Sequence, residues 1–307
     1  MSSRMPVPTE VDPRERWRSV RGRTVVVTGA NSGLGLAATK RLVAAGANVI
    51  MACRRVETAQ AAAATLGHSV RIEQVDLADQ ASIKDFSLRL TEPVDVLINN
   101  AGVMQPPHHR QTTDGFELMF GTNHLGHFAL TGRILPNLLA TPYPRVVTIS
   151  SVAHKSGTAK VLAGNPPQSY KPYRGYSQSK LANLLFATEL DRRARVAGSP
   201  LISMAAHPGV AATSLVRDRE GMGARWLARR VASPLMPYVF HGPDEGAQPI
   251  LYALAFGEPG GFYGPKQLFE STGRIGRSKR SRLAQDPELA KALWQQSETQ
   301  TGVVFNL

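Results

Sequence analysis

Tyr176 is the only one of the chain's seven tyrosines with a lysine, Lys180, four positions later. On a helix that spacing puts both side chains on one face. A phenol beside an ammonium can pass a proton to or from an oxygen while a hydride moves at carbon. A free tyrosine, with a pKa of about 10, is a poor base at neutral pH. A nearby positive charge in a partly desolvated site stabilises its phenolate. The spacing alone is also compatible with a surface tyrosine and lysine, so its meaning rests on the rest of the chain.

A second set of residues is built for an anion. Thr28 ends a β-branched run, and Gly29-Ala30-Asn31-Ser32-Gly33-Leu34-Gly35 follows, leading into an alanine-rich stretch. Glycines there permit a tight turn and close backbone approach to a pyrophosphate, and the helix N-terminus presents free N–H groups. Arg54 and Arg55 stand about 20 residues beyond the loop, where NAD sites usually carry an acidic residue for the ribose 2′-hydroxyl. No acidic residue stands between Gly35 and Glu57. A guanidinium suits a 2′-phosphate instead, so the expected cofactor is NADP(H).

These residues need a scaffold that gathers them. Short apolar runs at 24–28, 48–52, 70–74, 94–99, 145–150 and 201–206 read as strands. Helical patterns lie between them at 34–45, 57–66, 82–90, 125–139 and 177–196, and another follows at 244–256. The alternation predicts a single α/β domain: a Rossmann-type, doubly wound parallel sheet of about seven strands with helices on both faces. Ligands of such sheets sit at the carboxyl ends of the strands, where each motif falls. Residues 1–22 read as an N-terminal arm and 23–307 as the NADP-binding domain, with substrate-side insertions near 154–175 and 209–242.

Together the motifs resemble the short-chain dehydrogenase/reductase family, from about Gly22 to Tyr263. Thr28-Gly29-Ala30-Asn31-Ser32-Gly33-Leu34-Gly35 is similar to its glycine loop, and Asn99-Asn100-Ala101-Gly102 to its N-N-A-G segment against the cofactor. Asp76-Leu77 looks like the pair at the adenine. Pro208-Gly209 resembles its P-G motif, with Thr213 where a threonine commonly holds the nicotinamide carboxamide or a phosphate. The resemblance implies that Tyr176 and Lys180 are its Y-x-x-x-K pair and that Lys180 also holds the nicotinamide ribose. It further implies that Ser151 hydrogen-bonds the substrate oxygen, with Ser150 the neighbouring alternative, and that the Asn123 backbone anchors a proton-relay water. The phrases at 28–36, 52–54, 120–128 and 150–154 look most like the retinol-dehydrogenase-like branch.

Three features read blandly. His124 and His127 have no carboxylate or cysteine partner evident for a metal, and no metal is expected. Cys53 reads as a small buried residue, and His108-His109 as loop. The net charge is +13, but the basic residues are dispersed without interleaved aromatics, so no specific nucleic-acid partner is expected. One cysteine and no membrane-length apolar run suggest a reducing, cytoplasmic setting. The expected substrate is a small hydrophobic carbonyl or alcohol, with a homo-oligomer possible. Two alternatives stay open: a non-catalytic NADP-binding sensor, against which the full Ser, Tyr, Lys and Asn set argues, and an NADPH-dependent C=C reductase.

Overall fold

The computed structural model describes residues 20–67, 69–163, 167–209, 242–268 and 270–307. Thr213, most of the 1–22 arm and nearly all of the 209–242 insertion lie outside the described residues. At the arm's end, Val20 is buried in the core and the Gly22 N–H donates to the Gly46 carbonyl at 2.8 Å.

Eight strands form one sheet in the order β3-β2-β1-β4-β5-β6-β7-β8. They are β1 Thr24–Thr28, β2 Asn48–Cys53, β3 Val70–Gln74, β4 Val96–Asn99, β5 Arg145–Ile149, β6 Ile202–Ala206, β7 Phe262–Gln267 and β8 Thr272–Arg277. Every pairing is parallel except β7 with β8. The six strands read from the sequence are all present. β7 and β8 escaped because Gly264, Pro265, Gly273 and Gly276 interrupt the β-branched pattern that marks a strand.

Side-chain alternation splits the core between the two faces. Val25 and Val27 pack with α1 Gly33–Ala44, α2 Val56–Ala63 and α7 Pro243–Phe256, through Ala37, Leu42, Ala59, Ile250 and Leu254. Val26, Ile50, Leu97 and Val146 face the opposite layer. That layer holds α3 Gln80–Arg89, α4 Gly126–Arg133, α5 Leu135–Leu139, α6 Pro172–Val196 and α8 Pro287–Thr301. The single helix expected at 125–139 is divided. A π turn, Gly121–Leu125, leads into α4, and the chain breaks at Ile134 before Pro136, which sits in the first turn of α5. Helix α6 begins at Pro172, five residues before the expected start, because a proline fits a first helical turn.

Strand order reverses between β1 and β4, and this defines the crevice. Register aligns the strand ends there: Val27 pairs with Ile98, Asn99 with Thr148, and Ile149 with Ala206. Thr28, Asn99, Ser150 and His207 therefore leave the sheet along one rim.

Candidate active site

On the cofactor side of the rim, β1 ends at Thr28 and the chain turns through Gly29 at φ +64° and Gly33 at φ +52°, conformations that disfavour a side chain. A Cβ at Gly35 would collide with the Gly29 carbonyl and the Asn100 amide, so α1 can approach β1 only with glycine there. The first turn of α1 carries no acidic residue, leaving its positive end uncompensated. The Thr28 hydroxyl accepts the backbone N–H groups of Asn100 and Ala101, each at 2.9 Å, and the Asn100 side chain donates to the Thr28 carbonyl at 2.8 Å. The turn after β4, with Gly102, is thereby welded to the glycine loop.

Asn31 reaches out of that loop, its amide donating to the Thr58 hydroxyl at 2.8 Å, and Thr58 donates to the Arg55 carbonyl at 3.0 Å. Gln74 donates to the Arg54 carbonyl at 3.4 Å. The backbone of the arginine pair is thus pinned while both side chains stay exposed. Cys53, just before them, is buried, and burial pushes its thiol up to about 11, an unreactive state. Asp76 turns inward, accepting from the Ala78 N–H at 2.9 Å, and the Leu77 carbonyl lies where a Cβ at Gly126 would stand.

Across the rim, α6 brings Tyr176 and Lys180 to the end of β5. The Ser151 hydroxyl faces the Tyr176 phenol, where it works to lower the phenol's pKa, and accepts from the Ala153 N–H at 3.2 Å. Ser150 spends its hydroxyl on the Lys180 carbonyl at 2.8 Å, anchoring α6 instead. Geometry thus separates the two serines: Ser151 faces the tyrosine. Lys180 is 4% exposed, with Nζ donating to the Ile149 carbonyl at 3.1 Å and lying 5.7 Å from the centre of the Tyr176 ring. Asn183, one turn on, shares that carbonyl at 3.0 Å.

Asn123 is fully buried in the π turn. Its side chain accepts from the Val103 N–H at 2.7 Å and donates to the Val103 carbonyl at 3.0 Å and the Ser179 hydroxyl at 2.9 Å. A Cβ on Gly102 would stand 3.1 Å from Asn123 Oδ1 and 3.7 Å from Lys180 Nζ. The structure therefore brings Asn123, Ser151, Tyr176 and Lys180 together around the turn after β4.

In the chain alone, burial outweighs the lowering effect of the Ser151 hydroxyl and pushes the Tyr176 phenol up to about 12; the lowered value was expected from Lys180 together with the positive nicotinamide. Burial also brings the Lys180 ammonium down to about 8. In the chain alone, low polarity around the pair dominates over its mutual attraction.

The mouth of the site is walled by three short 3₁₀ turns, Val152–Ser156, Ala159–Ala163 and Pro167–Ser169. Gln178 on α6 holds both the Thr158 N–H, at 3.1 Å, and its hydroxyl, at 2.9 Å. Tyr170 donates to the Pro106 carbonyl at 2.7 Å and stacks edge-on with His109. Lys155 pairs with Glu270 on the β7–β8 turn at 2.5 Å, and His154 donates to the Ser151 carbonyl at 2.7 Å. Behind the rim, the His207 ring accepts from the Gly209 N–H at 3.2 Å and donates to Ser278 at 2.8 Å, holding the Pro208-Gly209 turn. Sequence reasoning missed Thr58, Gln178 and His207, since their roles depend on partners far along the chain and no local pattern marks them. His124 bonds Ser297 at 2.8 Å inside the core, and among the described residues no group of three potential metal ligands forms.

Residues 23–222 match the family model described as short chain dehydrogenase. The chain is 38% identical over 298 residues to human retinol dehydrogenase 13, covering 93% of this chain and 86% of that protein. It is 36% identical to mouse polyprenol dehydrogenase over 293 residues, covering 92% and 84% of the two. A crystal structure of an uncharacterized protein from Mycobacterium paratuberculosis superposes with a TM-score of 0.77 at 41% identity, covering 95% of this chain and 98% of that one. Matched by family model, by relatives over most of its length and by fold, the chain belongs to the short-chain dehydrogenases, in their retinol-dehydrogenase-like branch.

Proposed function

We propose that this chain is an NADP(H)-dependent oxidoreductase that interconverts a hydrophobic ketone or aldehyde and its alcohol, with Tyr176 as the proton donor and acceptor. The observation that carries the proposal is the convergence of Ser151, Tyr176, Lys180 and Asn123 on one rim, with the Ser151 hydroxyl facing the phenol. The nicotinamide cofactor, when bound, supplies or takes up the hydride.

The chain's residues fit such a cofactor. Gly29 and Gly33 at positive φ shape the turn and Gly35 lets α1 close on it, so the positive end of α1 is offered to a pyrophosphate. Arg54 and Arg55, at the end of a stretch from Gly35 that holds no carboxylate before Glu57, offer guanidinium groups to a 2′-phosphate. Ser151 positions the carbonyl oxygen and donates to charge developing there. With the phenol at about 12, Tyr176 holds its proton at neutral pH, the state required to protonate that oxygen. Lys180, at about 8, is mostly charged at pH 7 and steadies the phenolate left behind. These states favour reduction. The apolar character assigned to the substrate is supported by the relatives named for retinol and polyprenol, both long apolar alcohols.

The test is consumption of NADPH and NADH over a panel of apolar ketones and aldehydes, with wild type and Tyr176→Phe. The variant should lose about 10²–10⁴-fold in kcat and still bind cofactor. A fully active variant would sink the mechanism, and tighter binding of NADH than of NADPH would sink the cofactor assignment.

A further inference from the structure

One helical turn beyond Asn123, on α4, His127 is fully buried. Its Nδ1 lies 2.9 Å from the Asn123 carbonyl oxygen and its Nε2 lies 2.9 Å from the Thr28 hydroxyl. Counting donors fixes the hydrogens. A carbonyl only accepts, so Nδ1 carries a proton. The Thr28 oxygen already accepts two N–H groups, from Asn100 and Ala101, which fills both of its lone pairs. Its own hydrogen must therefore be donated, to Nε2 at 2.9 Å or, at longer range, to the Ile98 carbonyl at 3.3 Å. An Nε2–H would have no lone pair left to meet. The ring is neutral, protonated on Nδ1 only.

We propose that His127 is a positioning residue for the proton chemistry, a neutral imidazole that fixes the Asn123 carbonyl and ties the π turn to the cofactor-side turn through Thr28. Two buried segments meet in it, the end of β1 and the π turn, and Thr28 carries the tie on to the half-buried turn after β4. The Asn123 side chain then holds Val103 and Ser179, and both it and Lys180 border Gly102. One ring thereby sets where the glycine loop stands relative to the lysine beside Tyr176. Its neutrality fits the place: burial brings the imidazole down to about 4, and a charged ring would repel Lys180. The role rests on the reductase reading above and acts through Asn123 and Thr28, without touching the reacting atoms.

The experiment compares His127→Phe, which removes both hydrogen bonds, with His127→Asn, whose amide can still donate to the carbonyl one turn back. At saturating NADPH, kcat of His127→Phe should fall by about 10- to 100-fold, with the carbonyl KM changed less than about threefold, as expected for a misplaced catalytic group. His127→Asn should recover most of that loss. In the unmutated chain, ¹⁵N imidazole spectra should show Nδ1 protonated and Nε2 bare from about pH 6 to 8, because the ring stays neutral there. A kcat of His127→Phe within about twofold of wild type would overturn the proposal. So would a loss that His127→Asn leaves unrepaired, an Nε2–H tautomer, or a ring that titrates in that window. If His127→Phe does not fold, the asparagine variant and the wild-type spectrum decide. Full activity of Tyr176→Phe would instead strike the reductase reading, leaving the tautomer to be judged by its own spectrum.

Discussion

The two ends of the crevice are built on opposite principles. Around Tyr176, the polar groups Asn123, Ser150, Lys180 and Gln178 are all buried, and each is held by named partners within the chain. Around Arg54 and Arg55 the backbone is pinned by Thr58 and Gln74, and both residues are exposed. Buried polar groups are costly unless satisfied, so the tyrosine end is fixed by necessity and preorganised for charge development. A guanidinium recognising phosphate gains from charge and reach, and needs little prior fixing. Substitutions at the two ends should therefore differ in size and in what they change.

The largest effect is expected where backbone meets backbone. Gly35→Ala places a Cβ against the Gly29 carbonyl, so α1 must shift from β1. Cofactor affinity should fall by at least about 100-fold, with a melting temperature clearly below wild type, since overpacking at a rigid backbone costs a few kcal/mol. Titration calorimetry and thermal unfolding read both. An alanine variant that binds cofactor like wild type would show that the cradle is not rigid.

A smaller effect tests the tyrosine end through pH. Lys180 is lowered from 10.5 to about 8 by burial, so between those values the unfolded chain binds the extra proton. Stability from this group therefore rises with pH through that window, and its penalty is fully present below about 8. Other groups titrate nearby, Cys53 and Tyr176 with the opposite sign, so the difference between wild type and Lys180→Met carries the signal. Denaturant unfolding from pH 7 to 10 should show the variant's stability advantage shrinking as pH rises. A difference independent of pH would mean that Lys180 is better solvated than its burial indicates.

The smallest effect belongs to the exposed rim. Thr58→Val cuts the bridge between Asn31 and the Arg55 carbonyl, a net loss near 0.5–1 kcal/mol for one exposed hydrogen bond. NADPH affinity should weaken about two- to fivefold with kcat unchanged. A loss as large as that of Gly35→Ala would erase the contrast between the two ends.

Much of this site was legible in the sequence. The glycine loop, Arg54 and Asn100 follow strand ends, which short β-branched runs mark locally, and Tyr176 and Lys180 are marked by their four-residue spacing on one helix. Ser150 and Ser151 were not separable that way. Both end β5, and only the position of α6 shows that one binds the Lys180 carbonyl and the other faces the phenol. His127 was read as a bland helix residue, because its partners Thr28 and Asn123 come from different elements. The upward shift of the Tyr176 phenol in the chain alone was not legible either, since it comes from burial.

The sequence by itself determined the alternation of strands and helices, the glycine turn and the residue types available to the chemistry, because each is a local steric or periodic property. Only the tertiary structure decided the protonation of Tyr176, Lys180 and His127 and which serine faces the phenol. Desolvation and hydrogen-bond saturation depend on everything that surrounds a group, and what surrounds these groups is supplied by segments far apart in the chain.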